Sequence, residues 1–157
     1  MAYEIPKSMK AELGQWNNGN GITLDQWVGC IGNLNLAIGY STIFWPKFEA
    51  VGKYILTEGW KPEAIRGCEV RQDMNYKNVE WVLNHFHLCD LHAHNKIEVT
   101  ADQLLHLGNT LKEIYTVKLR HEFPERPCVV EFFIPTDPDD LVEYQISFWQ
   151  AKWDAKP

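Results

Sequence analysis

The sequence lacks the motifs that identify many common enzymes. It contains no G-x-S-x-G nucleophile turn, no H-E-x-x-H zinc motif, no glycine fingerprint for dinucleotides and no EF-hand loop. The Asn/Gly-rich run at residues 17–21 is not followed by the Gly-Lys-Ser/Thr of a phosphate loop. These absences lower the expectation of catalysis and favour a binding role.

Positive charge is also scarce. Fifteen Lys and Arg residues stand against 21 Asp and Glu, which gives a formal net charge of -6. Nonspecific nucleic-acid binders and polybasic membrane-surface proteins need a basic face, so we expect neither partner. Residues 1–10 lack an apolar core of signal-peptide length, and no apolar run reaches the roughly 20 residues of a membrane span. A cytoplasmic location is therefore expected.

Cysteine is sparse and widely spaced. The four residues are Cys30, Cys68, Cys89 and Cys128, with no C-x-x-C pair. This pattern predicts free thiols in a reducing compartment rather than a disulfide framework. A chain of 157 residues can bury a core without such staples, so residues 1–157 are expected to form one globular domain that needs no cofactor.

Capping signals and apolar periodicity predict an α+β fold with a helical core of four to five helices and a C-terminal antiparallel β-hairpin. Residues 1–22 are expected to be irregular. Capping boxes at Thr23/Gln26 and Thr100/Gln103, with Asn75 as a further cap, predict the starts of three helices. The predicted helices are 24–38, 46–58, a short one from Pro62, 76–94 and 101–121.

The C-terminal residues change to a β pattern. Residues 128–134 are rich in β-formers, and 142–149 alternate apolar with polar side chains, which predicts a half-buried strand. Together they predict a hairpin around the turn at 135–140. A helix capped by Asp139 or Asp140 is the alternative for 141–150.

Four of the six histidines lie within residues 85–94. On the predicted helix, Asp90 falls within the apolar arc, and a buried carboxylate must be paired or hydrogen-bonded. His87 and His94 stand three residues before it and four after it. Asn35, on the apolar face of the first predicted helix, is a further candidate for this buried polar network, which could also border a small-molecule pocket.

The same helix offers a metal-binding alternative. His85, Cys89 and His92 share one row at spacings of four and three, and all three are side chains that zinc accepts. A fourth ligand would have to come from elsewhere in the chain, and the candidates are His106, His121 and Cys68. The row on the other side is His87, Asp90 and His94.

Negative charge is concentrated at the predicted hairpin turn. Asp137, Asp139 and Asp140 lie in the turn, and Glu131 and Glu143 lie nearby. Such a turn is either a solvated connection or an acidic contact surface for a basic partner. Trp149 and Trp153 are the candidate aromatic anchors, since Trp is favoured at interface centres.

The sequence from residue 76 onward resembles a group of small bacterial hypothetical proteins that have no assigned activity. The resemblance covers about half the chain and rests on residues 82–87 (VLNHFH), 107–108 (LG), 118–119 (KL), 123–124 (FP), 129–132 (VVEF) and 144–148 (YQISF). It implies a bacterial, intracellular, stand-alone domain, and it supplies no catalytic residues.

These observations favour a small acidic protein-binding domain, such as an immunity protein that neutralises a basic toxin domain by covering its active site. A metal-binding protein or metalloenzyme that uses the histidine-rich segment is the alternative. A small-molecule binder with a pocket near Asn35 and Asp90 is the second alternative.

Overall fold

The computed structural model describes residues 4–92, 94 and 98–154 and has an α+β architecture, as predicted. This part of the chain has six helices where four to five were expected, and two small antiparallel sheets where only the C-terminal hairpin was expected. The helices of this part are α1 (Lys7–Gln15), α2 (Leu24–Ile31), α3 (Leu34–Phe44), α4 (Pro62–Glu69), α5 (Tyr76–Asn84) and α6 (Ala101–Glu122). The strands are β1 (Phe48–Val51), β2 (Tyr54–Thr57), β3 (Phe86–His87), β4 (Cys128–Phe133) and β5 (Gln145–Gln150). Short 3-10 turns lie at Asn17–Gly19, Leu88–His92, Leu141–Glu143 and Ala151–Asp154.

A three-stranded antiparallel sheet in the order β3-β5-β4 lies at the centre of the larger core. The long helix α6 packs against this sheet, and Gly108 lets the helix approach the ring of Phe132 closely. The apolar side chains that meet in this core include Leu104, Leu111, Leu119, Val130, Phe132, Ile146 and Phe148.

A second, smaller core lies under the hairpin formed by β1 and β2. Tyr54 and Leu56 from β2 pack with Ile65 of α4 and with Val79 and Leu83 of α5. Helix α5 therefore stands between this hairpin and the larger sheet.

Two polar side chains of α5 join the hairpin to the sheet. Glu80 is fully buried, and its carboxylate accepts the backbone N–H groups of Ile55 and Gln150, each at 2.7 Å. Asn84 accepts the N–H of Thr57 at 3.0 Å and donates to the carbonyls of Ile55 and Phe148. Since β3 pairs only with the first two residues of β5, these side chains satisfy the N–H of Gln150 and the carbonyl of Phe148, which lie farther along β5 than β3 reaches.

The predicted helix at 46–58 is wrong, because this segment forms the β1–β2 hairpin. Val51 pairs with Tyr54, so Gly52 and Lys53 form a two-residue loop. Gly52 has a φ of 58°, which suits the first position of a primed hairpin turn.

The N-terminal predictions also need correction. Residues 7–15, predicted to be irregular, form α1. The helix predicted over 24–38 starts at the expected capping box of Thr23 and Gln26, but it ends at Ile31. Gly32 is extended, and the Asn33 side chain then accepts the N–H of Asn35 at 2.9 Å, which starts α3 as a new helix.

The helix predicted over 76–94 begins at its expected cap, Asn75, but ends at Asn84. His85 is extended, and Phe86 and His87 pair with Ile146 and Gln145 of β5. Pairing with a distant strand thus replaces the local helical preference. The capping box at Thr100 and Gln103 is confirmed as the start of α6.

The C-terminal hairpin is present, with β4 and β5 antiparallel and in register from Cys128–Gln150 to Phe133–Gln145. Residues 145–150 are a strand, so the helical alternative is wrong for them. All six residues of β5 are buried, and the expectation of a half-buried strand is therefore wrong. The polar members of β5 find internal partners, such as Ser147, which donates to the carbonyl of Trp81 at 2.7 Å.

All four cysteines are free thiols. Within residues 4–92, 94 and 98–154, no helix has the length and apolar character needed to cross a membrane.

Candidate binding surface

The connection between β4 and β5 presents the acidic turn that the sequence predicted. Asp137 shapes it, because its carboxylate accepts the backbone N–H of Asp139 at 3.0 Å and its carbonyl accepts the N–H of Asp140 at 3.1 Å. Side-chain bonds of this kind are the usual reason for Asp in tight turns. The turn is therefore a defined local structure.

The turn is also fixed to the core from below. Tyr144 is completely buried, and its hydroxyl donates to the carbonyl of Pro138 at 3.2 Å. The Nδ1 of His87 lies 2.7 Å from the carbonyl of Val142, and since a carbonyl only accepts, this ring nitrogen carries the proton. The acidic turn is thus held at two points by buried or half-buried rings.

The carboxylates themselves face solvent. Asp137, Asp139, Asp140 and Glu143 are exposed, and none of them forms an ion pair with a Lys, Arg or His in the described part of the chain. Burial raises the pKa of Tyr144, and the nearby charges of Asp139 and Asp137 raise it further.

Three exposed apolar side chains border the turn. Phe133 is the last residue of β4, Ile134 follows it, and Val142 lies on the other side in the 3-10 turn. Their side chains are 43%, 48% and 60% exposed. Together with Asp137, Asp139, Asp140 and Glu143 they form what we call the acidic surface, which combines apolar contact area with charged groups as protein interfaces do.

The expected aromatic anchors are not part of this surface. Trp149 is buried, with its indole N–H donating to Asp154 at 2.8 Å and the ammonium of Lys77 4.2 Å from its ring. Trp153 is half-buried and donates to Glu80 at 2.8 Å. The register places Trp149 opposite Val129, at the end of the hairpin away from the turn, so the prediction of exposed Trp anchors is wrong.

The predicted buried network around Asp90 does not form. Asp90, Asn35 and His94 are all exposed. The prediction assumed a helix through residue 94, and because α5 ends ten residues earlier, the rows that brought these side chains together do not exist. His87 instead bonds to the turn after β4.

The proposed metal row is dispersed for the same reason. His85 stacks on Trp81, with the two ring centroids 5.8 Å apart, while His92 contacts the ring of Tyr40. Cys89 lies beside the carboxylate of Asp90, with the sulfur 3.8 Å from Oδ1. No three His, Cys, Asp or Glu side chains of the described residues, including His106, His121 and Cys68, are grouped to hold a metal ion.

A cleft of about 430 Å³ lies where α3, β2 and α5 end. Its size is within the range of small-ligand sites. Neither Asn35 nor Asp90 lines it, and both of these residues are exposed. The lining residues are Thr42, Ile43, Pro46, Thr57, Glu58, Gly59, Trp60, Leu83, Asn84, His85, Phe86 and Tyr115.

Sequence reasoning missed the apolar members of the acidic surface. Phe133 alternates with the buried Phe132 along β4, and this period of two was the signal that one of the two rings faces solvent. Val142 and Ile134 carry no local signal, because their exposure depends on how the turn is anchored.

Comparison with protein-family models, with curated proteins and with solved structures finds no match to this chain.

Proposed function

We propose that this chain is a protein-binding domain that receives a basic partner on the acidic surface. One observation supports the proposal most strongly: a single anchored turn carries both carboxylates without ion-pair partners among the described residues and exposed apolar side chains. Opposite charge accelerates encounter and sets orientation, and the apolar side chains contribute contact area once water is expelled.

An immunity protein is the specific form of this proposal. A toxin domain that acts on nucleic acid carries a basic active-site face, and an acidic, preformed turn is complementary to such a face. Occlusion by the acidic surface needs no catalytic group on this chain.

The test is affinity capture from extracts of the source organism with three forms of the protein. The first is the unaltered chain, and the second is the triple variant Asp137→Lys, Asp139→Lys and Asp140→Lys. The third is a matched control, Asp73→Lys, Glu113→Lys and Glu125→Lys, which changes the net charge equally at exposed carboxylates away from the turn.

We expect one basic protein to be captured by the unaltered chain and by the control, and lost with the turn variant. Titration of the purified pair should then show affinity that falls as salt is raised, since surface charges are screened. Co-expression with the captured partner would show whether binding protects cells from it. If both triple variants lost the partner equally, the loss would be due to net charge alone, and this would contradict a role for the acidic surface.

A further inference from the structure

A second exposed surface lies on α2 and α3, far along the chain from the acidic surface. Every residue from Val28 to Gly39 is exposed. Five of them are large apolar side chains, and the most exposed, Leu34, is 79% accessible. They are Val28, Ile31, Leu34, Leu36 and Ile38. We call residues 28–39 the neutral face.

The neutral face is attached to the body of the molecule at both ends. Before it, the indole N–H of Trp27 donates to Glu12 of α1 at 2.9 Å. After it, Ile43 and Phe44 pack on the larger core, and the hydroxyl of Tyr115 donates to the carbonyl of Ile43 at 2.9 Å. The neutral face is therefore held in place by contacts at both of its ends.

Such a surface is costly to leave in water. Soluble monomers rarely expose contiguous apolar patches beyond roughly 300–600 Å², and patches of that size are commonly interaction sites. A stable dimer buries about 800 Å² on each subunit, so an interface here would include the small and amide side chains of both helices beside the apolar ones.

The charge pattern argues against two other occupants, a basic partner and a lipid surface. No Asp, Glu, Lys, Arg or His occurs between residues 26 and 46, although the whole chain has a formal net charge of -6. A basic partner would find no carboxylate here. A lipid surface is ordinarily bound by helices with Lys and Arg on their polar face, and the segment has none.

A second copy of the chain fits the neutral face. In a two-fold interface the same patch meets itself, so any charge on it would face a like charge. This segment lets two acidic chains meet where neither carries a charge. We propose that residues 28–39 form a two-fold interface between two copies of this chain.

The test is sedimentation equilibrium of the full chain over a range of concentrations. The variant Ile31→Asp with Leu34→Asp places carboxylates in the neutral face, and Val70→Asp is the matched control, because Val70 is 81% exposed elsewhere. Far-UV circular dichroism and the melting temperature establish that each variant is folded.

We expect the unaltered chain and Val70→Asp to dimerise with equal affinity, and the double variant to dimerise at least about tenfold more weakly, the loss that follows from burying unpaired charge. A short bismaleimide should join two copies through the exposed Cys30, and the double variant should abolish that product.

Three outcomes would overturn the proposal. A chain that is monomeric at all concentrations has no such interface, and a dimer that survives in the double variant uses another surface. A monomer that instead sediments with phosphatidylcholine vesicles assigns the neutral face to lipid. The Lys triple variant of the acidic turn is expected to dimerise normally, which separates this result from that of the proposed function.

Discussion

Glu80 links the two cores of the molecule. Its carboxylate accepts N–H groups from Ile55, Gln150 and Trp153 at 2.7, 2.7 and 2.8 Å, and it is fully buried. Hydrogen bonds to charged groups contribute more than neutral ones, and donors left without an acceptor lose the energy of their desolvation.

We expect Glu80→Gln to lower the free energy of unfolding by about 3 kcal/mol, because the new amide group would point an N–H₂ at backbone donors. Urea denaturation measures this. The control is Glu63→Gln, an exposed residue paired with Arg66 across one helical turn, which should cost less than about 0.5 kcal/mol. Equal losses in the two variants would contradict the role assigned to Glu80.

Burial at the residue scale also decides which thiols react. Burial raises the pKa of the Cys128 thiol to about 12, and it raises the pKa of Cys68 as well, so both stay protonated near neutral pH. Cys30 is exposed. In dilute protein we expect iodoacetamide to modify Cys30 first, as read by peptide mass spectrometry, with Cys30→Ser removing the fast phase. Faster modification of Cys128 would show that the packing around β4 is open.

At the scale of elements, the contact between α6 and the sheet depends on a glycine. A Cβ added to Gly108 would lie 2.2 Å from the ring of Phe132, which is 8% exposed and hemmed in by the core. The same substitution in an open helix gains up to about 1 kcal/mol from helix propensity.

Gly108→Ala should therefore reduce the free energy of unfolding by about 2 kcal/mol, since overpacking outweighs the gain in propensity. The control Gly67→Ala, in α4 with no atom within 4 Å of the new Cβ, should raise it by about 0.5–1 kcal/mol. Thermal and urea unfolding report both. A Gly108→Ala protein as stable as Gly67→Ala would contradict the close packing.

Helix α1 is tied to α6 by a carboxylate. Asp102 accepts the N–H of Ser8 at 2.9 Å and the hydroxyl of Thr100, and these bonds lower its pKa well below the usual range. Because the folded-state pKa is below the unfolded one, the stabilisation is complete above the ordinary pKa of about 3.9 and is lost progressively as pH falls from there through the lowered folded-state pKa.

Hydrogen-exchange protection of α1 amides should accordingly fall as pH is lowered below about 4, before the rest of the molecule opens. Asp102→Asn should reduce this protection at neutral pH and remove its dependence on acid. Asp73→Asn, at an exposed loop position, is the control that should change neither property. Acid sensitivity that persists in Asp102→Asn would place its origin elsewhere.

The elements that could be predicted are those whose structure is determined by interactions between residues close together in the sequence. Thr23 with Gln26, and Thr100 with Gln103, cap helices through bonds that span three residues, so their signal is local. The segment at 85–94 could not be read this way, because Phe86 pairs with Ile146, far along the chain. The hairpin within 46–58 has only local pairs, and its signal was Gly52, whose positive φ suits a two-residue turn.

At the scale of the whole molecule, the acidic turn was predictable and its surroundings were not. Acidic residues in a turn stay exposed in almost any fold, whereas the place of Trp149 depends on a register that only the folded hairpin defines. The two surfaces also differ in charge, because the acidic surface carries four carboxylates and the neutral face carries none. A dimer formed through the neutral face would carry two acidic surfaces.

The shared anchoring of the two cores has a consequence for the folding pathway. The groups that bond to Glu80 come from residues 55, 150 and 153, so its charge is satisfied only after chain segments nearly a hundred residues apart have met. In a partly assembled state, the carboxylate of Glu80 could stay in water, but α5, which carries it, would then stay in water too. If the carboxylate were buried without its donors, the energetic cost would be high. Intermediates are thereby disfavoured, and the hairpin at 48–57 and the sheet built on β5 are expected to form in a single cooperative transition.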